Sequence, residues 1–218
     1  MLTAQRWLEL WLRLGATRQA DGALAEAYAG LMERFAETHR HYHTARHISE
    51  CLTHFDNARA QPGSLIEHAG EIELALWFHD AIYNPRAKDN EAQSASWAVR
   101  VMHDASVPAD SPAEARTRVH GLIMATCHDA LPDTPDAQVL VDIDLAILGA
   151  DAERFDEYER EVRAEYAFVP EFLFRRTRKK ILQGFLDRAP IYSTDFFREK
   201  LEKKARENLA RSLAGLND

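Results

Sequence analysis

Residues 71–85 read EIELALWFHDAIYNP, and this stretch decides the fold. From Leu74 to Phe78 the residues are all apolar, so a helix here has no face to give to water and must be surrounded by other elements. Apolar residues also recur at helical spacing on either side, and alternating β-branched runs are scarce. The expectation is an all-α chain with helices near 3–14, 20–38, 44–59, 64–80, 89–105, 111–127, 136–148, 151–168, 171–187 and 194–214. Turn chemistry places the breaks at Pro62-Gly63, Asn84-Pro85, the stretch from Val107 to Pro112, and LPDTPD (131–136), with Gly149 as a C-terminal helix stop.

Composition sets the frame. The 218 residues are 46% hydrophobic, enough for one substantial core, and no stretch is long enough to be an interdomain linker. One domain spanning 1–218 is expected. The net charge of −8 and pI near 5.7 leave no basic footprint for a nucleic-acid polymer. The two cysteines, Cys51 and Cys127, lack the spacing of a metal knuckle or disulfide framework and read as buried thiols in a reducing compartment. MLTAQRWLELWLRLGA (1–16) is an amphipathic helix interrupted by Gln5, Arg6, Glu9 and Arg13, neither signal peptide nor membrane span. Trp7 and Trp11, four apart, read as core. A cytoplasmic protein with no membrane partner follows.

The chemistry begins where polar groups interrupt apolar segments. In HRHYHTARHISE (39–50), His43 and His47 are four apart and share a helix face, so they could bind one metal together. His39 and His41 read as solvated loop residues. Ile48, Cys51, Leu52 and Phe55 follow His47 on the inward stripe, which turns His47 toward the core. The buried helix ends in His79-Asp80, and AQVLVDIDLAILGAD (137–151) sets Asp142 and Asp144 among Val, Leu, Ile and Ala. Buried carboxylates and imidazoles are costly unless paired. A structural His-Asp hydrogen bond would satisfy the doublet alone; one divalent cation would satisfy all these groups together.

With YHTARHI (42–48), HDAIY (79–83), DNEAQSA (89–95), LIMATCHD (122–129), DIDLAILG (142–149), EYAFV (165–169), FLDRAPIY (185–192) and EKKARENL (202–209), the chain resembles the HD superfamily of metal-dependent phosphohydrolases, over residues 40–211. The resemblance implies a single-domain HD-type helical bundle with a metal at its centre. Its ligand-bearing core would cover about 40–150, with helices of about 151–214 packing on it. His47, His79, Asp80 and Asp142 would be the ligands, with Asp144 a supporting group or helix-cap acceptor. Manganese, iron, nickel, cobalt, magnesium or zinc would suit the set.

Further roles are attached residue by residue. Asp80 would orient the attacking water. His128 would be a pocket residue bonding substrate or water; on a straight helix it lies about 12 Å from His120 along the axis, so one metal cannot easily take both directly unless the helix ends near Thr126 and His128 swings inward, and His120 reads as a surface histidine. Glu91 opens a helix, where an acid suits the N-terminus, or orients a ligand histidine or water. Tyr83 and His43 are candidates for substrate contact. A glutamate would mark the deoxynucleotidase branch at position 83, and a Glu-Asp pair after the doublet would mark alarmone hydrolases; neither is present. In FRRTRKK (174–180), a solvated face is the plain reading, and Arg178 is the candidate phosphate grip. Phe168, Phe172, Phe174 and Phe185 read as core.

The implied activity is hydrolysis of a small phosphate ester or nucleotide by metal-activated water. The alternatives are a non-catalytic metal- or nucleotide-binding module, a structural metal, and oxygen chemistry at a di-iron site. A homo-oligomer is left open.

Overall fold

The computed structural model describes residues 2–107, 112–128 and 130–216. The loop expected from Val107 to Pro112 therefore lies largely outside the described residues, as does Asp129 of LIMATCHD. The protein is all-α: ten α-helices and no strand occur among the described residues. They are α1 (Ala4–Arg13), α2 (Asp21–Phe35), α3 (Ala45–Arg59), α4 (Ala69–Phe78), α5 (Asn90–Asp104), α6 (Pro112–Met124), α7 (Pro135–Asp144), α8 (Ala152–Glu165), α9 (Glu171–Leu186) and α10 (Asp195–Gly215). Among those residues no helix is long and apolar enough to cross a membrane. Two compact units can be distinguished, Met1–Val141 and Asp142–Asp218, and the division falls within α7, not at a linker.

In the first unit α4 is the central element, packed against α1, α3, α5 and α6. Its residues from Glu71 to Phe78 are all buried, as an apolar run with no polar face requires. Full burial of Leu74 or Phe78 stabilises by about 1.5–3 kcal/mol each. Two acids on α4 are buried as well, and each has a basic partner. Glu71 takes a two-pronged grip from Arg118 of α6 at 2.8 and 2.6 Å, and Glu73 accepts from Arg6 and Arg13 of α1 at 2.7 and 2.6 Å. Trp7 and Trp11 are core, each 1% exposed, with Trp7 edge-on to Trp77 at 5.2 Å between centroids.

Helix α4 starts at Ala69, five residues later than its periodicity predicts. Asp136 is the reason: its carboxylate accepts the backbone N–H of Glu67 and His68 at 2.8 and 3.0 Å and lies 2.9 Å from His68 Nδ1. A side chain distant in sequence thus satisfies amide groups that a helical turn would otherwise employ.

In the second unit a 3₁₀ segment, Leu145–Gly149, presses on α10. Gly149 is there for space, because a Cβ at that position would lie 2.6 Å from Leu201 Cβ and 2.9 Å from its carbonyl oxygen. Asn208 of α10 donates to the carbonyls of Leu148 and Ala150, both at 2.9 Å. The expectation of a core role for the phenylalanines around α9 needs correction. Phe172 is 70% and Phe168 43% exposed, because the buried side of α9 consists of Arg178 and Leu182.

Candidate metal centre

His47 is the third residue of α3, whose start is set by Thr44: its hydroxyl accepts the Arg46 N–H at 3.3 Å. The buried stripe Ile48, Cys51, Leu52 and Phe55 carries His47 inward to 2% exposure. His79 caps the C-terminus of α4 and is equally buried. Its Nδ1 lies 3.0 Å from the Leu76 carbonyl. A carbonyl can only accept, so Nδ1 bears the proton, and in the neutral ring Nε2 presents a lone pair.

That lone pair points into a tight group. His79 Nε2 is 3.1 Å from His47 Nε2 and 3.1 Å from Asp80 Oδ2, and His47 Nε2 is 3.3 Å from the same oxygen. Three donor atoms of metal-ligating type thus form a near-equilateral triangle. Ligands about 2.0–2.1 Å from a tetrahedral ion stand roughly 3.4 Å apart, so the edges fit one small cation. Burial pushes the Asp80 carboxyl up, but when the imidazoles are protonated the charges of His79 and His43 and the hydrogen bonds from His47 and His79 outweigh it, holding the group well below the usual carboxylate range. Asp80 is therefore an anion at neutral pH.

Cys51, one helical turn after His47, belongs to the same cluster; the donor atoms of His47, Cys51 and His79 lie within 4.8 Å of one another. Its sulfur is 3.7 Å from both ring nitrogens of His47, which puts it beside the ring and off the axis of either lone pair. His47, Cys51 and His79 belong to a group that could hold a metal ion, and Asp80 stands beside its two imidazoles. Cys51 was legible only as a buried thiol, although its i,i+4 spacing from His47 is the pattern that places two side chains on one face. Arg40 is a second residue that the sequence reading overlooks. Its guanidinium donates to the carbonyls of His43, Asp80 and Ala81 at 3.1, 2.6 and 3.0 Å and to Glu37 at 3.0 Å.

Around this group, His43 stacks on Tyr83 with ring centroids 4.1 Å apart, and His39 Nε2 lies 2.8 Å from the Tyr83 carbonyl. Tyr83 and His43 thus form one half-buried wall beside Asp80. Glu91 is half-buried in the first turn of α5, where an acid complements the helix N-terminus. No straight helix joins His120 to His128. Helix α6 ends at Met124, a 3₁₀ turn covers Ala125–Cys127, and His128 follows in a left-handed conformation, φ 56°. His120 is exposed and His128 half-buried.

The second unit holds the remaining candidates. Asp142, fully buried, accepts the N–H of Ser193 and Thr194 at 2.8 and 2.7 Å and the Thr194 hydroxyl at 2.7 Å. Three of its roughly four acceptor positions are filled at the N-terminus of α10, and burial raises its pKa despite these bonds. That is a helix-cap role, one of the two expected of Asp144; Asp144 is the half-buried last residue of α7. Arg178 is buried, paired with Glu159 and set over the Tyr158 ring at 5.0 Å. Its Nε and Nη2 both donate to Glu159.

No protein-family model, curated protein or solved structure matches the chain.

Proposed function

We propose that the protein is a metal-dependent phosphohydrolase acting on a small phosphate ester or nucleotide. The observation that carries the reading is the triangle of His47 Nε2, His79 Nε2 and Asp80 Oδ2, with edges of 3.1–3.3 Å. His47, His79 and Asp80 would hold the ion, and their mixed donors suit manganese, iron, cobalt, nickel or zinc better than magnesium. A divalent cation in such a site supplies a Lewis acid and lowers the pKa of water toward about 7. His79 keeps its lone pair directed inward because Nδ1 is tied to Leu76. Asp80, ionised at neutral pH, orients the attacking water and takes its proton. The His43–Tyr83 wall bounds one side of the space a substrate would enter. Phosphorus as the electrophile is supported by the likeness of YHTARHI and HDAIY to the HD pattern.

The test is metal analysis of the purified protein, followed by phosphate release from p-nitrophenyl phosphate and a nucleotide panel with added manganese, cobalt or nickel. His79→Ala and Asp80→Ala should each abolish metal-dependent release while the helical circular-dichroism spectrum persists. Turnover retained in both variants would refute the reading. Bound metal without release from any phosphoester would favour a binding module, and unfolding on chelation a structural ion.

A further inference from the structure

The two segments that carry the metal-ligating triangle approach one another through a single buried cation. Arg40 lies in the turn between α2 and α3, and its side chain is fully buried. One nitrogen, Nη1, donates both to the carbonyl of Asp80 at 2.6 Å and to that of His43 at 3.1 Å; Nη2 donates to the carbonyl of Ala81 at 3.0 Å. Asp80 and Ala81 follow the end of α4, where carbonyls lack helical partners and a cation is favoured. His43 immediately precedes Thr44, the cap of α3, so its carbonyl sits at the entry to the helix that bears His47. The same guanidinium is held from behind by Glu37 at 3.0 Å and lies over the rings of Phe35 and Tyr83 at 5.7 and 5.5 Å.

We infer that Arg40 is the positioning residue of the metal centre, fixing the backbone of Asp80 against the entry to α3 so that His47, His79 and Asp80 converge on one ion. This rests on the metal reading above. Four of the five guanidinium N–H groups are used, and the planar fork reaches carbonyls from both segments at once. Lysine, with a compact ammonium, cannot span them. The backbone carbonyl of Asp80 is held by Arg40 while its carboxylate faces the imidazoles, so a shift of the guanidinium would move a ligand directly. Arg40 would touch neither metal nor substrate.

Cobalt(II) alone is the probe, titrated by calorimetry and by its visible d–d absorption, which reports coordination independently of activity. Arg40→Lys and Arg40→Gln should weaken cobalt binding by about 10–100-fold, the range for residues that hold metal ligands in place, and should alter the absorption band. Glu73→Gln is the control: it removes a buried ion pair on the same helix and should lower stability without changing cobalt affinity. Arg40→Lys keeps the charge and the alkyl stem, so it serves if Arg40→Gln does not fold. Cobalt affinity within twofold of wild type in a folded Arg40 variant would overturn the positioning role alone. So would an equal loss in the Glu73 control. A wild-type protein that takes up no cobalt, manganese, nickel or zinc overturns the metal reading and this inference together.

Discussion

Replacing Glu73 by glutamine removes one buried charge while keeping volume and a hydrogen-bond acceptor. The Glu73 side chain is 2% exposed and stands between Arg6, 15% exposed, and Arg13, 43% exposed. Two unit charges about 4 Å apart attract by about 4 kcal/mol at the effective dielectric of a protein surface. The Arg6 contact approaches that value before desolvation is subtracted, whereas the Arg13 contact is discounted below about 1 kcal/mol by solvent screening. Breaking a buried pair from one side costs about 3–5 kcal/mol. Arg6 keeps a second partner, since Asp56 grips it at 2.7 and 2.9 Å, so the net loss should fall at or just below the low end of that range, about 2–3 kcal/mol. For a chain of 218 residues this corresponds to a fall in Tm of roughly 4–12 °C. Urea denaturation at pH 7, followed by tryptophan fluorescence, measures it, because Trp7, Trp11 and Trp77 are all buried in this unit. The loss should persist in 0.5 M salt, where exposed pairs are screened. A change below about 0.5 kcal/mol would refute the reasoning and make Glu73 a tolerated charge, not a partner that seats α1 on α4.

Two further outcomes concern the second unit. Gly149→Ala would set a methyl 2.6–3.1 Å from the Cβ, carbonyl oxygen and Cα of Leu201; two of these are backbone and cannot turn away. A loss of about 1–3 kcal/mol is expected, and an unchanged urea midpoint would show that the 3₁₀ segment yields freely. Burial, with the charges of Asp142 and Glu202, pushes the Tyr192 phenol well above its ordinary 10.0. Above pH 10 the unfolded chain therefore loses a proton that the folded chain keeps, and stability falls by about 1.4 kcal/mol per pH unit. Tyr192→Phe should flatten this alkaline slope while losing the bond to the Leu145 carbonyl at 3.1 Å. Equal slopes between pH 9 and 11 in both proteins would exclude Tyr192 as the source.

Helix class and helix order were legible because a run such as LALWF has no polar side to expose, and because turns such as Pro62-Gly63 and Asn84-Pro85 punctuate the pattern locally. Helix limits set by distant groups were not. Nothing near residues 64–68 announces that Asp136 will take the amides of Glu67 and His68. The phenylalanines of α9 fit a core by periodicity, but the buried side of that helix went to Arg178 and Leu182. Periodicity identifies a face without saying what will cover it.

The candidate site divides in the same way. That His47, His79 and Asp80 interrupt apolar helices is a property of the sequence, since desolvation makes such groups costly wherever the stripe is buried. Their approach to 3.1–3.3 Å depends on how α3 meets the end of α4, to which carbonyls buried behind that junction contribute through Arg40. No pattern rule distinguishes this arginine from a solvated one. Likewise, the DID motif offers two aspartates among apolar residues, and only packing shows that Asp142 is spent on the amides that open α10. The sequence by itself determined which residues are too polar for their surroundings. The tertiary structure decided which partner each one meets, because local spacing constrains neighbours within a helix and is silent about groups brought together from fifty residues away.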